Sequence, residues 1–383
     1  MKKCPVARLC GGCQLQGVEY AQQLLQKQQF VQKLFPHHQV DEIIAMDDPY
    51  HYRNKVQMAF GHYRGRIICG NYVASTHEIV EIKDCQITNV TANKIIDDIK
   101  KLMISFKLTA FDENSLKGFL RHVLVRTGHI SKQVMVVLVT GSYQFPKKRD
   151  FLNALLKAHP EITTIVQNIN NAHTSMVLSG KTETLYGKGY IEDVLCGKVF
   201  RISANSFYQI NSIQTEKLYG KAIELAQLEK SDVVIDAYCG IGTIGISLAE
   251  KVKEVLAVEI NKQAIKDAKV NAKLNEIDNI TFEANDAGRY MRKLAAEKRK
   301  VDVLIMDPAR AGADTVFLDS ALKLKPKRIV YISCNPITQK DNVSYLCKRG
   351  YTLQKLQPVD MFPFTDHVES IALLKRVKQK VKI

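Results

Sequence analysis

DAYCGIGTIG places Gly240, Gly242 and Gly245 in GxGxxG spacing between a strand pattern and a helix pattern. By itself the spacing also fits a dinucleotide fold with Glu259 as the ribose-binding acid. A pyrophosphate, however, seeks helix N–H groups and no nearby carboxylate. Here the successive strand ends carry Asp236, Glu259, Asp286 and Asp307. A ring of acids suits a cation with ribose hydroxyls, and S-adenosylmethionine, with its sulfonium and ammonium, is such a ligand. Glu259 is then expected on the ribose, Asp286 at the adenine edge and Tyr238 against the ligand. One or two of these acids can instead cap the helices that follow them.

Cys334, in YISCNPIT, ends the fifth strand pattern of this half and opens a helix. That position is expected to lower a thiol's pKa and favour the thiolate, although a cysteine there can also be buried packing. Glu369, in FTDHVES, begins the last strand pattern. Together they suit one problem. The C5 carbon of a pyrimidine is too weak a nucleophile to take a methyl unaided. A thiolate added at C6 makes C5 enolate-like, and a base must afterwards remove the C5 proton. Cys334 as nucleophile and Glu369 as base fill those roles.

The elements that must hold these residues are legible in the pattern. After residue 203 strands and helices alternate, and the chain closes on two further strands, YTLQKLQPVDMF and VESIALLKR. This predicts a doubly wound, seven-stranded α/β domain over 203–383, with ligands at the strands' carboxyl ends. Residues 1–202 read as a smaller, β-rich α+β region, interrupted by helices near TANKIIDDIKKLMISF and KRDFLNALLKAH. A helix over about 15–35 is expected to pack on the catalytic domain. The chain has 383 residues, nine cysteines and a formal charge of +16. No apolar run is long enough for a membrane helix, and the N-terminus has no signal-like core. A cytoplasmic protein with reduced cysteines and no obligate protein partner is expected. The charge, spread along the chain, points to a polyanion such as RNA. Arg53 and Lys55 in YRNK, with Arg121 and His122 in FLRHVLVR, are candidate RNA contacts, or the solvated face of a hairpin.

CPVARLCGGCQ packs Cys4, Cys10 and Cys13 into ten residues. A fourth ligand is available at Cys69 or Cys85. Four thiolates, three close and one remote, suit a 4Fe–4S cluster, with zinc as the alternative.

FYQIN, DAYCGIGTIG, VEIN, DPARAG, SCNP and DHVES, in this order, resemble the RNA uracil-5 methyltransferase family. The N-terminal cysteine motif resembles that of its iron–sulfur 23S ribosomal RNA members. The resemblance implies Gln209, Tyr238, Glu259 and Asp307 as S-adenosylmethionine contacts, Cys334 as nucleophile and Glu369 as base. It also favours Cys85 as the fourth cluster ligand. The implied partner is 23S ribosomal RNA, with a flipped uridine in a single-stranded or loop region as the target. With the first cysteine at residue 4, the family's small RNA-binding barrel (the TRAM domain) is not expected ahead of it. A transfer-RNA uridine is the alternative substrate. An RNA-binding assembly factor with an inactive methyltransferase fold would have lost the nucleophile, the base or the glycine loop, and all three are present.

Overall fold

The structure, a computed structural model, describes residues 3–73 and 76–377. The basic C-terminal run read from the sequence extends into 378–383, outside the described residues. The chain opens with a short helix, α1 (Ala7–Cys10), and a longer one, α2 (Tyr20–Leu34).

A seven-stranded sheet follows, formed by β1 (Lys55–Tyr63), β2 (Arg66–Tyr72), β3 (Ile79–Glu81), β4 (Leu120–Thr127), β5 (Val134–Thr140), β6 (Ile162–Ile169) and β7 (Thr182–Tyr186). Its spatial order is β3-β2-β1-β4-β5-β6-β7, and only β5 and β6 pair in parallel. Every residue of β4 and β5 is buried, because both faces of the sheet are covered. Val123, Val125, Val136 and Leu138 pack on α3 (Val90–Ser105) and α4 (Lys148–Ala158). The alternate residues Leu124, Met135, Val137 and Val139 pack toward the second half of the chain. Between the halves lies a hairpin, β8 (Tyr190–Leu195) and β9 (Lys198–Ser203). Its two-residue turn holds Cys196 and Gly197 at φ 50° and 73°, the positive-φ pair of a tight hairpin.

The second half contains α5 (Ser212–Ala226), β10 (Val233–Ala237), α6 (Thr243–Leu248), β11 (Glu254–Glu259), α7 (Lys262–Leu274), β12 (Ile280–Ala284), α8 (Ala287–Ala296) and β13 (Val303–Met306). It ends with α9 (Thr315–Leu324), β14 (Arg328–Ser333), α10 (Pro336–Cys347), β15 (Tyr351–Val359) and β16 (Glu369–Arg376). The sheet order is β12-β11-β10-β13-β14-β16-β15. Strands β10 to β14 run parallel, while β16 is antiparallel to both neighbours. The order reverses at β10, and a crevice opens at the carboxyl ends there. Because β16 runs the opposite way, its first residue, Glu369, reaches the edge where the parallel strands end. Among the described residues, no helix is long and apolar enough to cross a membrane.

Helix α2 belongs by packing to this second sheet. Val31, with Phe35 and Val40 just beyond the helix, shares a core with Leu356, Ala372 and Leu374. Lys27 is 2% exposed and donates to the buried Asp360 carboxylate at 2.6 Å and to the Phe362 carbonyl at 3.1 Å.

Candidate active site

The glycine loop is built over Asp236. This side chain is 1% exposed, and its Oδ2 accepts the Gly245 N–H at 2.8 Å. A Cβ at 245 would stand 2.8 Å from the same oxygen, so a side chain there would displace the carboxyl. Burial pushes the Asp236 carboxyl up to about 7, with Asp307 and Glu259 adding repulsion against the Gly245 hydrogen bond. Asp236 therefore shapes the loop from beneath instead of offering an exposed carboxylate. At Gly240, with φ 55°, an added Cβ would meet nothing within 4 Å, which marks the open side of the loop.

Glu259 ends β11 and turns its carboxylate toward the loop. Its Oε2 accepts the Gly240 N–H at 3.2 Å and its Oε1 the Asn261 N–H at 2.8 Å. Tyr238 holds the left-handed conformation (φ 66°), uncommon for a non-glycine residue and frequent at ligand clamps. Its ring lies 5.3 Å from that of Phe317, centroid to centroid. Asp286 caps α8 by accepting the Arg289 N–H at 2.9 Å. It also lines an open cleft of about 650 Å³ with Ile260, Asn285 and Asp314.

The strand pairing Ser333↔Ser370 carries Cys334 and Glu369 to the same edge, where Asp307 ends β13. Glu369 is 3% exposed, while Cys334 and Asp307 are half-buried. Asn335 fixes the cysteine loop, accepting the Ile337 N–H at the start of α10 and donating to the Arg310 carbonyl at 3.0 Å. The lowered thiol pKa expected at a helix start is not found. Burial raises the Cys334 thiol, Glu369 and Asp307 raise it further, and the Arg310 guanidinium opposes them. Asp307 and Glu369 are both pushed well above the usual carboxylate range by burial, and Asp307 acts on Glu369 as a second cause.

Gln209 is 9% exposed at the floor of this edge, with its carbonyl accepting the Asn54 amide at 3.0 Å. One neighbour carries no signal in the sequence. The buried Tyr219 on α5 feels the charges of Asp307 and Glu369 and hydrogen-bonds toward Gln209 and Thr243. Phe207, two residues before Gln209, is 70% exposed. Only folding brings Tyr219 here; nothing in KLYGKA marks it.

The segment leading into Glu369 is held by the N-terminal region. The Phe364 carbonyl accepts the Leu15 N–H at 2.9 Å, Gln23 Oε1 accepts the Phe364 N–H at 2.8 Å, and the Tyr52 hydroxyl donates to the Pro363 carbonyl at 3.0 Å. Cys13 and Cys85 border this packing of Met46, Tyr52, Ile87 and Phe364. Cys4, Cys10, Cys13 and Cys85 come within electrostatic reach of one another. The Cys13 thiol is pushed up to about 12 by burial first, then by Cys85, Cys10 and Cys4, with Arg53 opposing. All four are free thiols. Among the described residues, no group of three or more His, Cys, Asp or Glu side chains is close enough to hold a metal ion as placed. The four thiols are gathered beside the segment leading to Glu369 without closing to metal-binding distance. Cys69 is turned away into the core, 3% exposed, with its Sγ 3.9 Å from Met58 Sδ.

The RNA contacts expected at Arg121 and His122 are corrected by the fold. Both are at most 4% exposed on the doubly covered strand β4. Arg121 donates to the Asn170 side chain and to the Ala172 and Thr174 carbonyls, and pairs with Glu113. Burial, then Arg121, lowers the His122 imidazole to about 4, leaving it neutral. Arg53 and Lys55 are half-buried.

The chain matches the family described as tRNA (Uracil-5-)-methyltransferase over residues 19–377. It is 43% identical to an uncharacterized RNA methyltransferase of Oceanobacillus iheyensis, over 95% of this chain and 81% of that one. A relative from Halalkalibacterium halodurans, also an uncharacterized RNA methyltransferase, is 42% identical over 97% of this chain and 82% of its own length. Among solved structures, Pyrococcus abyssi tRNA (uracil-54, C5)-methyltransferase in complex with S-adenosyl-L-homocysteine superposes with a TM-score of 0.81. That likeness has 28% identity and covers 98% of this chain and 87% of the other. With its doubly wound sheet, its acid-ringed glycine loop and this match along nearly its whole length, the chain belongs to the tRNA (uracil-5-)-methyltransferase family and is an S-adenosylmethionine-dependent RNA methyltransferase.

Proposed function

We propose that the protein methylates C5 of a uridine in 23S ribosomal RNA, in the cytoplasm. The observation that carries the chemistry is the meeting of Cys334, Glu369 and Asp307 at one sheet edge, beside the glycine loop. Bound S-adenosylmethionine would supply an electrophilic methyl group. Glu259 would hold its ribose, Asp286 its adenine edge, and Gln209, Tyr238 and Asp307 would complete the contacts around Gly240 and Gly242, with Asp236 supporting the loop.

In its thiolate form, its proton already lost, Cys334 Sγ forms a bond to C6, and the electron pair of the C5–C6 double bond moves onto the C4 carbonyl as an enolate. C5 then takes the methyl, and the electrons of the broken S–CH3 bond stay on the departing sulfur. Glu369, in its carboxylate form, removes the C5 proton. The C5–C6 double bond returns, and Cys334 leaves as thiolate. Phe207 offers a stacking face for a uracil turned out of its RNA.

Cys4, Cys10, Cys13 and Cys85 would hold a 4Fe–4S cluster through their thiolates. Methyl transfer consumes no electron. The cluster's part is to tie the N-terminal loop against the segment leading to Glu369, a role supported by the Leu15 and Tyr52 hydrogen bonds to that segment. The proposed division into 1–202 and 203–383 falls at the end of β9, between the strands of the first sheet and those of the second.

The ribosomal substrate rests on the cysteine motif. The similarity to a tRNA (uracil-54, C5)-methyltransferase favours a second reading, a transfer-RNA uridine. Incubation with tritiated S-adenosylmethionine and unmodified 23S ribosomal RNA beside transfer RNA, followed by nucleoside mass spectrometry, separates them. Label as 5-methyluridine in the ribosomal RNA supports the proposal. Label confined to transfer RNA overturns the substrate and keeps the chemistry.

A further inference from the structure

Strand register sets two cations against each other. Lys55, the first residue of β1, pairs directly with Arg126 on β4. Like charges directly opposite in a sheet are destabilising. Arg126 is 3% exposed, and its guanidinium donates to the Ala204 and Ser206 carbonyls, which carry no charge. Its Nε is buried without a hydrogen-bond partner. Burial acts on Arg126, and burial followed by Arg126 pushes the Lys55 ammonium down to about 8. Among the described residues, no carboxylate offsets either charge. The carboxylate that does reach the neighbouring loop, Asp267 on α7, is taken up by the Ser203 and Ser206 hydroxyls at 3.2 and 2.8 Å. We infer that Lys55, backed by Arg126, binds a backbone phosphate of the RNA adjoining the target uridine. The inference rests on the RNA-methyltransferase reading and adds to it a residue that grips the backbone.

Printed contacts join this pair to the catalytic edge. Arg126 donates to the Ser206 carbonyl, and Asn54, beside Lys55, donates to the Gln209 carbonyl at 3.0 Å. These two bonds hold the chain on both sides of Phe207, whose ring is 70% exposed. Gln209 in turn meets Tyr219, which feels the charges of Asp307 and Glu369. On the other side, Arg53 acts on His367, two residues before Glu369. From 53 to 58, Arg53, Lys55 and Gln57 are half-buried or exposed, whereas Asn54, Val56 and Met58 are buried. Lys55 therefore lies on the accessible side of β1. A base stacked on Phe207 carries its phosphates one sugar away, a gap that a flexible lysine stem can bridge.

The chemistry selects the ligand. A cation pair without a counter-charge, half-buried at a loop that positions the target, is relieved by an anion. Phosphate is the anion that every nucleotide of an RNA substrate carries. A buried guanidinium N–H left without a partner is the kind of group that a ligand oxygen satisfies. If Lys55 served the fold alone, it would be expected opposite an acid and not opposite an arginine.

The test uses the full protein and a stem–loop RNA containing the target uridine, taken from whichever RNA it methylates. Lys55→Met should lower the slope of log affinity against log salt by about 0.7–0.9, which is about five- to eightfold in the dissociation constant at about 0.1 M salt relative to 1 M. Lys55→Arg should restore both. Because the repulsion from Arg126 is gone, the urea midpoint of Lys55→Met should equal or exceed the parent's. A neutral methylphosphonate on one side of the target uridine should weaken binding to the parent by a similar factor and add nothing in Lys55→Met. An unchanged salt slope in Lys55→Met overturns the inference, as does a loss that adds in full to that of the methylphosphonate on either side. A lowered urea midpoint with unaltered affinity makes Lys55 a structural residue and also overturns it. Each of these leaves the enzymatic reading intact, which falls if the parent protein methylates no RNA.

Discussion

Replacing Asp236 by Asn should stabilise the fold at alkaline pH. The unfolded chain loses this proton near pH 3.8, whereas the folded chain keeps it to about 7. The folded state thus carries the extra proton between those values. The stability contributed by the protonated form is complete below the lower value and is lost as pH rises through the upper one. The shift spans about three units, and at about 1.4 kcal/mol per unit its ceiling is about 4 kcal/mol. Relaxation around the ionised group takes part of that, so a gain of about 2 kcal/mol is expected. Asparagine stays uncharged and can still accept the Gly245 N–H. Urea unfolding followed by far-ultraviolet circular dichroism suits a chain without tryptophan. The variant's midpoint should exceed the parent's at about pH 8.5, at constant slope, with the gap narrowing toward about pH 5. A midpoint equal to or below the parent's at alkaline pH would refute the claim that the buried carboxylate, and not loop packing, carries this cost.

Three further outcomes are expected. Lys27→Met leaves Asp360 buried without its cation and should cost about 3–5 kcal/mol in the same unfolding measurement, most of it recovered in Lys27→Met with Asp360→Leu. The rate of methyl transfer should rise with pH through neutrality, because Glu369 must be ionised and burial with Asp307 holds its pKa up; Asp307→Asn, assayed at saturating S-adenosylmethionine, should move that limb to lower pH. Anaerobically reconstituted protein should contain iron and absorb in the visible range, and Cys85→Ser should lose both while Cys69→Ser keeps them.

The second half was legible because alternating strands and helices have one common solution, and because its acids stand where strands end. The amphipathic pattern begins near residue 15, a few residues before helix α2 starts at Tyr20. Strand β7 and the β8–β9 hairpin are hard to see in the sequence, since TETLY alternates in burial over only five residues and the hairpin's turn rests on a cysteine and a glycine. Arg121 and His122 show why basic text misleads. In FLRHVLVR the charges look like a surface, yet β4 is covered on both faces and the arginine is consumed by loop carbonyls. The place of Cys334 at a strand end is legible in the sequence, but its electrostatics are not. A helix start lowers a thiol's pKa, and the two carboxylates that the tertiary fold brings beside it raise it more. The hold of Lys27 and Tyr52 on the segment before Glu369 joins residues more than three hundred apart, which no local pattern records.

The covalent mechanism is tested most directly by Glu369→Gln, incubated with S-adenosylmethionine and substrate RNA and resolved on a denaturing gel. With no base to take the C5 proton, a methylated protein–RNA adduct should accumulate, and it should vanish when Cys334→Ala is added. Release of 5-methyluridine at the parental rate by Glu369→Gln, or an adduct that survives Cys334→Ala, would contradict the assignment.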